Sequence, residues 1–162
     1  MIKEVTGDIL HSNAEAIGLG VAPFDHFESG LALSLKEQWP SMVKDFRHYC
    51  HLANPKPGSV WIWAGANGKR IVNLMTKEAP TGEKHSGHAG KATVSNVNHS
   101  LKELATLIRK ENIKSVALPK LESGFGGLDW AEVKPLIESH LKDCGADVFV
   151  YSSFQKDVVG AE

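Results

Sequence analysis

The sequence predicts an α/β domain in three layers, with helices on both faces of a mixed central sheet. Three observations predict it. Short apolar runs alternate with helix-period stretches in the order β-β-α-α-β-β-α-β-α-β. Asn67-Gly68 lies between two β-rich runs, a hairpin signal that makes part of the sheet antiparallel. And 162 residues, 42% of them hydrophobic, suit a single domain that buries roughly 70% of its unfolded surface.

Each element has its own reason. Ile2 to Thr6 alternates apolar and polar side chains until Gly7-Asp8 breaks the strand. Ala16 to Val21 is an apolar run whose Gly18 and Gly20 predict a buried strand closely approached by another surface. After the loop through residue 30, Leu31, Leu35 and Trp39 set a helix from Gly30 to Trp39, with Ser29 as N-cap and Pro40 as stop. Ser41 is expected to cap a second helix with Val43, Phe46 and Cys50 on one face. Ser59–Ala64 and Arg70–Thr76 are the hairpin strands, and Gly-, Lys- and His-rich Pro80–Ala92 reads as a mobile surface loop. Val97, Leu101, Leu104 and Ile108 mark a helix of about four turns. Ser115–Pro119 is a strand, Lys120–Leu128 a glycine-rich turn, and Asp129 with Glu132 a capping pair. The helix so capped carries Val133, Ile137 and Leu141, and Asp147–Ser153 is the last strand. Residues 1–154 form the expected domain and 155–162 a polar tail.

Composition excludes several functions. Basic and acidic residues number 18 and 19, so a general affinity for nucleic-acid backbone is not expected. No apolar run approaches the roughly 18 residues of a membrane span, and Met1–Val5 reads as a strand rather than a signal peptide. Cys50 and Cys144 lack metal or redox spacing, which predicts a reduced, cytoplasmic setting. His48-x-x-His51 and His85-x-x-His88 lack a carboxylate or cysteine at fixed spacing, so no metal and no cofactor is expected.

In open α/β sheets ligands bind beyond the carboxyl ends of strands, which selects loops 21–30, 77–92 and 120–128. Ser123-Gly124-Phe125-Gly126-Gly127 lies between a strand and a capped helix, where backbone amides can converge on a phosphate or diphosphate. The same glycines would also serve a turn that needs positive φ. Neither this turn nor loop 21–30 is a Walker A loop, since no Gly-Lys-Ser/Thr follows. Lys77 ends a strand at the sheet's edge. A lysine attacks carbon only when neutral, which its ordinary pKa of about 10.4 makes rare at neutral pH, so the plain reading is a side chain reaching for water. Asp8 is equally a turn-former, and Trp61, Trp63 and Trp130 are expected in the core. Tyr151 and Phe154, after the last strand, serve either to stack on a base or as a hydrophobic lid.

Taken in order, Gly7-Asp8-Ile9-Leu10, Ser29-Gly30-Leu31-Ala32, Asn73-Leu74-Met75-Thr76-Lys77 and Leu118-Pro119 with Gly124-Phe125-Gly126-Gly127-Leu128-Asp129-Trp130 resemble a macrodomain. The resemblance covers residues 2 to 153 and is nearest the branch of the terminal ADP-ribose protein glycohydrolase and the DNA ADP-ribosyl glycohydrolase antitoxins. It implies ADP-ribose as ligand. Asp8 and Ile9 would read adenine, with Tyr151 and Phe154 as stacking candidates. Ser29, Gly30 and Leu31 would meet phosphate and distal ribose, and Ser123, Gly124, Phe125, Gly126 and Gly127 would cradle the diphosphate. Lys77 matches the lysine that attacks the anomeric carbon of the distal ribose, releasing ADP-ribose from modified protein or DNA.

The chain departs from the branch in three places. Gly126 stands where the protein glycohydrolase has an aspartate, leaving Asp25, Glu28 or Glu122 as substitutes. The Asn and Gly-Gly-Val pattern of the other hydrolytic macrodomains is missing, and segment 78–92 is longer and richer in Gly and His. The alternatives are a non-catalytic ADP-ribose reader and a hydrolase of a small metabolite such as O-acetyl-ADP-ribose. A monomer with no membrane partner is expected.

Overall fold

Three adjacent parallel strands open the sheet's carboxyl edge to three long loops, and the rest of the fold holds those strands in place. The computed structural model describes residues 1–124 and 126–162; Phe125 lies outside the described residues. The elements are β1 (Ile2–Gly7), β2 (Ala16–Val21), α1 (Gly30–Gln38), α2 (Pro40–Ala53), β3 (Val60–Ala64), β4 (Arg70–Met75), α3 (Val94–Lys110), β5 (Ser115–Pro119), α4 (Trp130–Leu141) and β6 (Asp147–Phe154). Short 3₁₀ turns occupy Ile9–His11 and Glu83–His85. The sheet order is β1-β6-β5-β2-β4-β3. Among the described strands β3 and β4 alone pair antiparallel, around Gly68 at φ +84°.

The central strands are apolar along their length because both faces are covered. On one face Val72, Leu74, Val116, Leu118, Val148 and Val150 pack against Leu101, Leu104 and Ile108 of α3 and Val133, Ile137 and Leu141 of α4. On the other, Ile17, Leu19, Ile71, Met75 and Phe149 meet Leu35 of α1 and Met42, Phe46 and Cys50 of α2. The glycines of β2 are there for space. A Cβ on Gly18 would come 2.6 Å from Leu118 Cδ2, and one on Gly20 2.6 Å from Thr76 Oγ1.

Several local expectations are corrected. Pro40 does not merely stop α1; it starts α2, with Trp39 as C-cap of one helix and N-cap of the next. Proline lacks only an amide that has no intrahelical partner at that position anyway. Ser29 occupies the N-cap position of α1, but its side chain makes no capping bond, whereas Thr93 and Asp129 cap α3 and α4 with theirs. The three tryptophans are half-buried rather than core. β3 is an edge strand, so Trp61 stacks on Tyr49 and Trp63 donates its indole N–H to Asp45 at 2.8 Å, while Lys120 lies over Trp130.

Two segments read as loose are tied down. The base of loop 77–92 is stitched by Glu78 N to Lys91 O (2.9 Å), Gly90 N to Glu78 O (2.8 Å) and a bridge between Lys77 and Ala92. Residues 155–162 fold back over β1, with Gln155 N donating to Gly7 O (3.0 Å), Asp8 N to Val158 O (2.6 Å), and Gly160 buried.

Candidate functional site

β5, β2 and β4 are neighbours, and their carboxyl ends release the loops at residues 120–129, 22–29 and 76–93 on one side of the sheet. Between these loops lies a cleft of about 700 Å³, bounded by Gly20, the 25–32 segment, Lys77, 88–92, 119–122, Gly124 and Gly126. Its volume is in the range of small-molecule sites, and its position is the one that strand-end logic predicts.

Lys77 lies on the wall of this cleft. Its backbone N–H extends the β2–β4 pairing to Val21 O (3.2 Å), which aims the side chain across the end of β2. Nζ then donates to Glu122 Oε1 at 2.7 Å and to Gly20 O at 3.3 Å. The pair is sheltered: the side chains are 22% and 7% exposed.

Glu122 reaches that place at a cost. Its backbone is left-handed at φ +57°, a region that costs a residue with a Cβ roughly 1–2 kcal/mol. The turn holds it there, with Ser123 N donating to Lys120 O, Gly127 N to Gly124 O and Leu128 N to Glu122 O, all at 2.9–3.1 Å. Glu122 Oε2 and the nearby Thr76 Oγ1 are buried and have no hydrogen-bond partner among the described residues. Gly20 makes room for both, since a Cβ there would lie 2.6 Å from Thr76 Oγ1 and 3.0 Å from Glu122 Oε1. Gly126 is cramped for a related reason: a Cβ there would come within 2.7 Å of Glu122 Cα and Cβ. The chain therefore has no room for a side chain at the position where the resemblance looks for an aspartate.

The three candidate carboxylates separate clearly. Asp25 is a loop brace, accepting from Ala22 N through Oδ2 and from Phe27 N through Oδ1, both at 2.8 Å. Glu28 is half-exposed and pairs with His88 Nδ1 at 2.6 Å. Glu122 alone of the three touches Lys77. Loops 21–30 and 80–92 also meet across the cleft's rim, where Phe24 stacks on His85 at 3.9 Å and His26 Nε2 donates to His85 O at 2.8 Å. His85 and His88 thus take different partners.

Apart from Phe125, which lies outside the described residues, the sequence-derived site residues divide into three groups. Ser29, Gly30, Leu31, Lys77, Gly124 and Gly126 border the cleft, and Gly30 has φ +61° with open space around it. Ser123 and Gly127 flank it with their amides used inside the turn. Asp8, Ile9, Tyr151 and Phe154 do not border it. Asp8 is 6% exposed, with Oδ1 accepting from Leu10 N and Oδ2 from Asp157 N, each at 3.1 Å. The Tyr151 hydroxyl donates to Glu162 Oε2 (2.6 Å) and accepts from Gly160 N (3.1 Å). Burial first, and then the Glu162 bond, push that phenol above its ordinary range. Ser12 Oγ also bonds Glu162, and Asn13 N donates to its Oε1 at 3.0 Å. Phe154 is 74% exposed. Sequence reasoning passed over Gly20, Lys91 and Lys120 as cleft residues. Gly20 had a signal, a glycine inside an apolar strand; the two lysines had none.

The model of the family described as Macro domain matches residues 19–137, and the chain belongs to the macrodomain family. It is 30% identical to a DNA ADP-ribosyl glycohydrolase of Thermus aquaticus over 93% of its length, and to one of Mycobacterium tuberculosis over its whole length. It spans 41% and 46% of those two proteins, less than half of each. The macrodomain of Thermus aquaticus DarG superposes with a TM-score of 0.79 at 28% identity, covering 94% of this chain and 98% of that one. For the Mycobacterium tuberculosis DarG macrodomain the values are 0.82, 26%, 94% and 99%. The fold also matches Thermosipho africanus DarTG, solved in complex with ADP-ribose, at a TM-score of 0.78 and 21% identity over 92% of this chain and 41% of that one. Among the described residues no helix is long and apolar enough to cross a membrane.

Proposed function

We propose that this macrodomain binds ADP-ribose in the cleft and releases it from a modified macromolecule, with Lys77 as nucleophile. The observation that carries the reading is the position of Lys77 Nζ, held on the wall of a cleft framed by three strand-end loops. The 25–32 segment would receive phosphate and distal ribose, and Gly124 and Gly126 the diphosphate, so that C1″ faces Nζ. Attack forms a C1″–Nζ bond as the bond from C1″ to the leaving atom breaks, and water then returns the amine. The names of the 30%-identical relatives favour a DNA base over a protein carboxylate as the leaving group.

The test is release of ADP-ribose from an ADP-ribosylated DNA oligonucleotide. Lys77→Ala should lower the rate at least ~100-fold while ADP-ribose binding by calorimetry stays within about three-fold. Equal rates for parent and variant refute the assignment. A reader that binds without turnover is the second reading, favoured by the ion pair that engages Lys77 with Glu122. Micromolar ADP-ribose binding with no release from modified DNA or protein would select it.

A further inference from the structure

If Lys77 is the nucleophile, as proposed above, its ammonium has to shed a proton before nitrogen can bond to carbon. Among the described residues Nζ has two hydrogen-bond acceptors, Gly20 O and Glu122 Oε1. A backbone carbonyl cannot take a proton under these conditions; a carboxylate can. The protein also retains this carboxylate against local preference. It stands on a left-handed residue, 7% exposed, with Oε2 buried and unpaired among the described residues, and β2 carries a glycine that leaves space for it. Strain and an unpaired buried atom concentrated on one side chain in a cleft are features of working residues rather than of packing.

We propose that Glu122 is the second catalytic residue, the group that takes and returns the proton of Lys77. In the first half-reaction Nζ bonds to C1″ and the leaving atom departs with the electron pair of its bond to C1″. Nζ gives up two protons, one to Glu122 and one to the leaving atom, so the ion pair becomes a neutral secondary amine beside a neutral carboxyl. In the second half a water oxygen bonds to C1″, and the C1″–Nζ pair returns to nitrogen. One water proton and the proton held by Glu122 go to Nζ, and the other water proton stays on the new C1″ hydroxyl. The ammonium and carboxylate are restored, with ADP-ribose released.

The experiment compares parent, Glu122→Gly, Glu122→Gln, Glu122→Asp and Lys77→Ala on a DNA oligonucleotide carrying ADP-ribose on a base. Glycine suits the left-handed backbone and so offsets part of the loss of the ion pair; Glu122→Gly should therefore remain folded while lowering kcat about 100-fold or more, with KM within about three-fold. Glu122→Gln, nearly the same shape without a basic oxygen pair, should lose kcat equally. Glu122→Asp should keep part of it, and added formate should restore part of the rate to Glu122→Gly. Turnover of Glu122→Gly or Glu122→Gln within three-fold of the parent, or a rise in KM alone, overturns the proposal while leaving Lys77 in its role. An inactive parent, or an active Lys77→Ala, fails the functional reading itself and this step with it.

Discussion

Around Asp8 and Tyr151 the polar atoms are paired, largely by the C-terminal segment 157–162, whereas around Lys77 two buried oxygens are left without partners among the described residues. Asp8 is answered by Asp157, Ser12 and Tyr151 by Glu162, and the 157–162 segment closes over them. Among the described residues Thr76 Oγ1 and Glu122 Oε2 are unanswered, and Glu122 is strained as well. An unpaired buried polar atom costs about 1–3 kcal/mol. One end of this region is built for stability, and the other gives stability up to hold charged groups at the edge of a cleft.

Substitutions should separate the two ends. After Lys77 and Glu122 themselves, the largest effect is expected at Gly20. Gly20→Ala would push a methyl into Thr76 and Glu122, displacing the carboxylate from Lys77, so ADP-ribose release should fall ten-fold or more. A rate within two-fold of the parent would mean that the Lys77–Glu122 contact does not matter to the site. Next is Gly160→Val, whose Cβ would meet Val5 Cγ2 at 2.7 Å and Tyr151 Cζ at 3.0 Å. Overpacking of this kind costs ~1–3 kcal/mol and should appear in urea melts, with kcat unchanged. Tyr151→Phe strips the partner from Gly160 N and from Glu162, for a loss of about 1–2 kcal/mol in the same measurement.

A pH series sharpens the contrast further. The Tyr151 phenol is held above its ordinary pKa of about 10, so the unfolded chain ionises first as pH rises. Its contribution is therefore complete below pH ~10 and lost as pH climbs through the folded value. Burial shifts Tyr49 in the same direction, so Tyr151→Phe should flatten the alkaline fall in stability only in part. An unchanged slope would show that the Glu162 contact contributes nothing. The smallest change is expected from Thr76→Val, which removes an unpaired hydroxyl at nearly constant shape and should leave stability level or up to ~1 kcal/mol higher.

Much of the site was legible because its signals are local. Gly18 and Gly20 announced a close approach within β2, Asn67-Gly68 a hairpin, and the strand-to-helix loops a ligand edge. From its place at the end of β4 alone Lys77 read as a side chain reaching for water, and the family resemblance marked it as a nucleophile. The partner of Lys77 was harder to choose, because Asp25, Glu28 and Glu122 all lie in loops that reach the same edge. Geometry separated them: Asp25 spends both oxygens on its own loop, Glu28 faces His88, and Glu122 faces the amine. The tail misled for the opposite reason. Polar composition reads as solvated chain, yet its amides and carboxylates satisfy groups on β1 and β6 that no local pattern identifies.

The order of strands and helices, the antiparallel hairpin and the edge of the sheet that carries the cleft follow from sequence alone, since periodicity, caps and turn residues act over a few neighbours. The ion pair between Lys77 and Glu122, the crowding that empties Gly126 of a side chain, and the closure of residues 157–162 over Asp8 were decided only in three dimensions. The ion pair and the tail closure join groups 45 to 150 positions apart and depend on how strands are ordered, while the crowding at Gly126 depends on how closely the turn's backbone folds on itself.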